Sequence, residues 1–317
     1  MTGLPRTDGD ATLVEATDLL NIELPDRRWR DESHLQWLYG PNANPYGSGI
    51  YGFRRAGERL DAHYGLIPQS YRTPDGPMPM MFSLNAVTRN VAQRLGHFWS
   101  IAEEVYARAL DEYGAQGIVG VSNDNSTPPV VKRLGWRLMG PLPVKVVRPL
   151  SSVSGVAHHV ADAEFLASIE FEAAVDGLDQ PVEWGWRNRP TPEYLQWRLS
   201  SPNTEPFHVH VSDDLVAISV PSHLGPAPVA VIVKLLPRHP VSSPIDAMGL
   251  IGSICRHHRA PFAVYAGFND RVRVRGVQPP RRVQPAPLNL IFRPLTDRAH
   301  KLTFRLETFE FLDMDAY

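Results

Sequence analysis

Cysteine is nearly absent: Cys255 is the only one in 317 residues. One thiol closes no intramolecular disulfide, so a disulfide-stapled fold is excluded. The neighbours Ile251 and Ile254 make Cys255 read as a buried, unreactive thiol. Lysine is scarce too, with Lys132, Lys145, Lys234 and Lys301 the only examples; arginine supplies the other basic side chains. No apolar run approaches the ~18 residues of a membrane span, so no membrane partner is expected. The opening MTGLPRTDGD has no basic stretch followed by an apolar one, which predicts a cytoplasmic protein. A net charge of −2 gives no global attraction to nucleic acid, and none is expected as a partner. No Cys/His/Asp spacing resembles a zinc site. His158-His159 and His257-His258 are adjacent pairs that cannot share a helix face, so no metal is expected.

What is present describes a soluble globular chain, 43% hydrophobic and 21% charged. Its length allows one large domain or two of about 150 residues each. A faint repeat favours two. Leu35-Gln36-Trp37 matches Leu195-Gln196-Trp197, and Pro41-Asn42 matches Pro202-Asn203. In each copy the Trp sits in a short helix that ends before a proline, and two strands follow. These strands span residues 49–53 and 60–67 in the first copy, and 207–211 and 216–220 in the second. The expected boundary places one domain in residues 1–150 and the other in 151–317.

Each copy then runs strand, helix, strand. In the first, residues 80–87 precede a helix from about 94 to 113, whose apolar side chains Phe98, Ile101, Ala102, Val105, Ala109 and Leu110 form one stripe. Gly114 is its natural stop, and 117–121 forms a buried strand. In the second, strand 229–236 leads to a helix at about 244–256 and a strand at 262–266. Late strands are expected at 144–148, 288–292 and 304–311, and a linking helix at about 161–174. Residues 269–287, rich in Pro and Arg, read as a long surface loop.

Three stretches of the first copy, in order and spacing, resemble the GCN5-related N-acetyltransferase (GNAT) superfamily. Ser83-Leu84-Asn85-Ala86-Val87 leading to Gln93-Arg94-Leu95-Gly96-His97 is similar to the family's fourth strand and pyrophosphate loop. Gly120-Val121-Ser122-Asn123-Asp124-Asn125-Ser126 is similar to the turn after its fifth strand. Val130-Val131-Lys132-Arg133-Leu134-Gly135-Trp136 is similar to the helix closing with Leu-Gly-Phe/Trp. The resemblance implies an α/β fold built as two tandem GNAT-like units, each a mixed, mostly antiparallel sheet flanked by helices. The second unit shares the elements but not the motifs. The sequence departs from the family pattern at Arg94 and Phe98, where small residues are usual, and at Val131, where a tyrosine often protonates the leaving thiolate.

Physical chemistry supports the first stretch independently. Free N–H groups and the dipole at a helix start attract phosphate, Gly96 permits close approach, and Arg94 adds a charge-assisted donor. The donor-binding residues implied by the resemblance are Asn85, Ala86, Val87, Gln93, Arg94, Leu95, Gly96, His97 and Asn125. Candidate catalytic residues are His63, Ser83 and Asn85: His63 lies mid-strand beside 83–87, where Ser83 and Asn85 share a face. The expected co-substrate is acyl-CoA or acyl-phosphopantetheine, the latter on an acyl-carrier protein. The expected acceptor is a small-molecule amine, such as an amino sugar or a specialised-metabolite intermediate. A non-catalytic, degenerate binding module is the competing reading. The second copy is expected not to bind donor, because residues 237–244 carry no Gly and include Pro240 and Pro244.

Overall fold

The computed structural model describes residues 9–24, 32–41, 44–93, 95–149, 151–202, 205–284, 287–301 and 304–314. Arg94, and Asn42 and Asn203 of the repeat, lie outside them. The first half contains α1 (Gly9–Glu23), α2 (Glu32–Tyr39), β1 (Ile50–Ala56), β2 (Arg59–Thr73), β3 (Gly76–Thr88), α3 (His97–Tyr113), β4 (Gly117–Ser122), α4 (Thr127–Leu134), β5 (Arg137–Pro141) and β6 (Val144–Val147). Then come β7 (Ala157–Val160), α5 (Ala163–Leu166), α6 (Ile169–Val175), β8 (Arg187–Asn188), α7 (Pro192–Leu199), β9 (His208–Val211), β10 (Leu215–Leu224) and β11 (Ala227–Pro237). The chain finishes with β12 (Ile245–Asp246), α8 (Met248–His257), β13 (Ala263–Asn269), β14 (Val272–Arg273), β15 (Asn289–Pro294), α9 (Asp297–Lys301) and β16 (Thr308–Glu310).

Two large sheets result. One has the order β1-β2-β3-β4-β15-β5, with β8 beside β2; the other is β16-β13-β11-β10-β9-β7, with β6 beside β13. Each is an antiparallel meander joined to one parallel neighbour, β3 with β4 and β11 with β13. A parallel pair needs a crossover, and α3 and α8 supply it. The two halves therefore repeat one topology of mostly antiparallel sheets flanked by helices, as the sequence predicts.

The halves exchange strands. β15, from the second half, lies antiparallel between β4 and β5 of the first sheet, with Asn289 opposite Ser122 and Pro294 opposite Gly117. Reciprocally, β6 of the first half pairs with β13, Val147 opposite Ala263. The other edge of β6 is closed by Val146, which exchanges backbone bonds of 2.8 and 2.9 Å with Val277. Lys145 Nζ adds a bond of 2.9 Å to the Val274 carbonyl.

The repeated helices meet. Trp37 of α2 and Trp197 of α7 stack with centroids 4.9 Å apart. Each indole N–H donates to the other's main-chain carbonyl, at 3.1 and 3.3 Å. Thr191 caps α7 by accepting from Tyr194 N–H, and Pro192 opens it. Around this contact one core unites α1, α2 and a face of the first sheet with Trp186, Phe304, Phe309 and Met314 of the second half. The other face of that sheet packs on α3 through Ile101, Ala102, Val105 and Ala109.

Several expected boundaries move for local reasons. α3 begins at His97 rather than 94, because Gly96 takes a left-handed conformation (φ 80°) that starts the helix. The expected helix over 161–174 is two helices, since Ser168 ends the first and caps the second through Phe171 N–H. α8 starts at Met248 because Ile245 and Asp246 pair with β14. The late strand at 304–311 contracts to β16. Cys255 is buried, and burial pushes its thiol up to about 11.

Candidate active site

β3 and β4 pair over three positions only, Met81–Ile118, Phe82–Val119 and Ser83–Gly120. Beyond Ser83 no described strand covers that edge of β3. The same region of β3 carries a bulge: His63 faces Val87 and Gly65 faces Leu84, so Asn85 and Ala86 are both accommodated opposite Tyr64. Asn85 takes φ 55°, a left-handed conformation that Asn tolerates better than most residues. The bulge turns the Asn85 carbonyl toward His63 Nδ1 at 3.2 Å, while Asn85 Nδ2 donates to the Tyr39 hydroxyl at 3.1 Å. The result is a strand edge that no described strand covers, with buried side chains packed behind it.

The floor of this opening is also hydrogen-bonded. Ser83 Oγ lies 2.9 Å from the Tyr64 hydroxyl, which lies 3.4 Å from Tyr106 Oη; Trp136 Nε1 donates to Tyr106 Oη at 3.0 Å. A Cβ at Gly120 would sit 3.1 Å from Ser83 Cβ and 3.4 Å from the Trp136 ring, so the position keeps the two strands close before they part.

His63 and Asn85 are thus brought together, and Ser83 joins Tyr64 beside them. His63 is fully buried, and burial lowers its imidazole to about 4 against the raising effect of the Asn85 carbonyl. Its Nε2 and Asn85 Oδ1 are buried without hydrogen-bond partners. The imidazole is enclosed by Tyr39 and Tyr51, at 5.7 and 5.8 Å between ring centroids. His63 therefore supports the bulge from within; it does not face open space as a proton acceptor for a substrate would.

The loop before α3 is exposed at Gln93 and Leu95, and His97 begins the helix. Gln93 Nε2 donates to Asn90 Oδ1 at 2.8 Å. Phe98, where the resemblance expects a small residue, turns inward and packs edge-on against Tyr64, 5.3 Å between centroids. The Gly96 carbonyl accepts from Trp99 and Ser100 N–H at 3.1 and 3.3 Å, closing the first turn of α3, and a helix start of this kind is where a phosphate can approach.

At the turn after β4, Asn123 is the organising residue. Its Oδ1 accepts from the N–H groups of Asn125 and Ser126, while Asn125 itself is exposed. The second half pins this turn: Asn289 Nδ2 donates to Asp124 Oδ1 and Thr127 Oγ1, both at 2.9 Å, and Arg281 Nη2 donates to Asp124 Oδ1 at 2.6 Å. The Arg281 bond, followed by the Asn289 bond, holds the Asp124 carboxyl below its ordinary range. The Pro- and Arg-rich loop consequently reaches across to the first half. A shallow groove of about 400 Å³ runs beside it, lined by Pro141, Leu142, Gln278, Pro279, Pro280, Arg281 and Gln284. Tyr39, Tyr64, Asn289 and Arg281 escaped the sequence reading, because only the fold places them here.

The corresponding place in the second sheet is filled. β11 has its own bulge, Ile218 facing Lys234 and Ser219 facing Ile232. Lys234 Nζ binds Asp313 at 2.6 Å and Glu310 at 3.3 Å, and the Tyr265 hydroxyl of β13 donates to Glu310 at 3.0 Å. Burial raises the Glu310 carboxyl, opposed by Lys234. The segment from β16 to Asp313 thus bridges the two strands that part in the first sheet.

A meander, a crossover helix and a short parallel pair are built twice, and the chain shares its fold with solved structures of GCN5-related N-acetyltransferases. A probable N-acyltransferase of unknown function from Enterococcus faecalis V583 superposes with a TM-score of 0.59 at 11% identity, over 90% of this chain and 71% of that one. A GCN5-related N-acetyltransferase from Anabaena variabilis ATCC 29413 gives 0.59 at 10% identity, over 92% and 71%. Eis1 from Mycobacterium abscessus gives 0.55 at 12%, over 92% and 73%. No protein-family model matches the sequence, and neither does any curated protein. Among the described residues no helix is long and apolar enough to cross a membrane.

Proposed function

We propose that the protein is an N-acyltransferase that takes an acyl group from a phosphopantetheine thioester and passes it to the amine of a small molecule. The observation carrying this reading is the uncovered edge of β3 beyond Ser83, with the Asn85 bulge behind it. An extended, amide-rich pantetheine arm can add to such an edge through main-chain hydrogen bonds. Its thioester carbonyl would then be polarised by backbone N–H groups. In this reading residues 1–150 hold the donor. The second half, its own opening plugged by Glu310 and Asp313, walls the acceptor side through Arg281 and Asn289.

Acyl-CoA and an acyl-carrier protein both present this arm. With Phe98 packed inward and Gly96 left-handed, the start of α3 suits a phosphate, which favours CoA. Arg94, two residues before Gly96 in sequence, is the charged group that would grip it. The test is a panel of acyl-CoAs and acyl-loaded carrier proteins with candidate amines, read as thiol release and product mass. Arg94→Ala should weaken CoA about tenfold or more. Transfer from carrier protein alone would reverse the donor assignment, and absence of both binding and transfer would leave the non-catalytic module. That second reading draws on the enclosure of His63 and on Val131 at the place of the family's tyrosine.

A further inference from the structure

Five of the twelve histidines gather where the second sheet meets the end of α8. His208 and His210 are two apart on β9 and so share a face; His158 on β7 is opposite His210. His257 is the last residue of α8, and His258 follows it. Adjacent residues on a continuous helix diverge, but here the helix stops: Arg259 turns left-handed, with φ 53°. That ending lets both imidazoles approach β9, which sequence spacing could not reveal.

We propose that His208, His257 and His258 form a binding site for a borderline divalent transition-metal ion, with Zn²⁺ as the reference case. Each offers a ring nitrogen, and the three nitrogens lie within 4.8 Å of one another. His208 Nδ1 and His257 Nε2 are 3.2 Å apart. Two ligands on a tetrahedral ion with bonds of about 2.0–2.1 Å stand roughly 3.3 Å apart, so this pair already has ligand spacing. An all-imidazole set selects Zn²⁺, Co²⁺, Ni²⁺ or Cu²⁺ over Mg²⁺ and Ca²⁺, which prefer oxygen.

Behind the site runs the kind of hydrogen-bonded support that orients metal-bound imidazoles. His258 Nε2 is 2.7 Å from Ser219 Oγ, Ser219 Oγ is 2.7 Å from His210 Nε2, and His210 Nδ1 is 2.6 Å from His158 Nδ1. When His258 Nε2 donates along this chain, its Nδ1 keeps a lone pair for the ion. His210 and Ser219 are fully buried, so the support is built into the sheet. His257 is exposed, which leaves the ion a solvent-facing position. The three-residue group is made of imidazoles alone, with no carboxylate among its members. The ion would clamp the end of α8 to β9, a role separate from acyl transfer at the first sheet.

Tag-free, metal-stripped protein titrated with Co²⁺ should bind one ion and develop the visible bands of a tetrahedral nitrogen site. Zn²⁺ should displace it and raise Tm, and Mg²⁺ should do neither. His257→Ala removes an exposed side chain and should fold with an unchanged metal-free Tm while weakening Co²⁺ at least tenfold. Ser219→Ala, a positioning change, should weaken it less. Failure to bind Co²⁺ or Zn²⁺ saturably, or parental affinity retained in His257→Ala or His208→Ala, overturns the assignment.

Discussion

Trp37 and Trp197 each donate an indole hydrogen bond to the other's main-chain carbonyl while their rings stack. The relationship is self-complementary: the same residue of each repeat plays the same part toward its counterpart. Arg198, itself buried, lies over both rings at 5.3 and 5.4 Å. Three letters of sequence similarity therefore mark the contact around which the two halves are related.

Trp197→Ala removes a buried indole and is expected to cost about 3–5 kcal/mol. Trp197→Phe keeps the stack and loses one hydrogen bond, a cost nearer 1 kcal/mol. Urea unfolding of both variants measures the two contributions; equal costs would mean that ring stacking contributes nothing.

The bulge at Asn85 should tolerate glycine and reject branched residues. Asn85→Gly keeps the left-handed conformation and loses only the bond to Tyr39, so folding and donor binding should largely survive. Asn85→Val should lose about 1–3 kcal/mol from backbone strain and bind donor poorly. Thermal melting and donor titration decide it, and comparable binding by both variants would detach the bulge from donor recognition.

Acid should destabilise the protein through His63. In the folded state its imidazole titrates at about 4, against an ordinary 6.5. Above pH about 6.5 both folded and unfolded forms are neutral there. As pH falls below that value the unfolded chain takes up a proton that the buried ring refuses. Stability is lost down to pH about 4, by about 3 kcal/mol in total. The other lowered histidines act in the same direction, so the measured quantity is the difference between the parent and His63→Gln across that range. Identical pH slopes would mean that His63 takes up its proton as readily in the folded protein as in the unfolded chain.

Neither half should be stable alone. Residues 1–150 without β15 leave the edges of β4 and β5 unpaired, a template for aggregation. Size-exclusion chromatography should find this fragment aggregated or unfolded, and a one-to-one complex when residues 151–317 are co-expressed. A monodisperse, folded 1–150 fragment would contradict the strand exchange.

The strands and long helices were legible because their signals are local. The α3 stripe, the stop at Gly114 (φ 59°) and the apolar run of β4 each depend on neighbours in sequence. The candidate site could be named from the sequence as a segment, 83–97, but not as a constellation. Nothing near His63 in sequence announces that Tyr39 and Tyr51 will enclose it, since they come from another helix and strand. Periodicity also ends where a helix ends, which is why His257 and His258 read as diverging. And β15 has a strand's pattern with no mark of which sheet it will enter; that is decided by the edges left free.

The position of β15 sets the order in which the molecule can be completed as it leaves the ribosome. Gly117–Ser122 emerges first, yet its antiparallel neighbour Asn289–Pro294 comes from the other half of the chain. The N-terminal sheet must wait, with one margin bare, while the chain between β4 and β15 is still being made. Closure across so long a stretch of chain is slow, and an exposed margin during that wait invites chaperone capture or misassociation. Synthesis of β15, rather than of the first half, thus becomes the event that commits the N-terminal sheet to its native state.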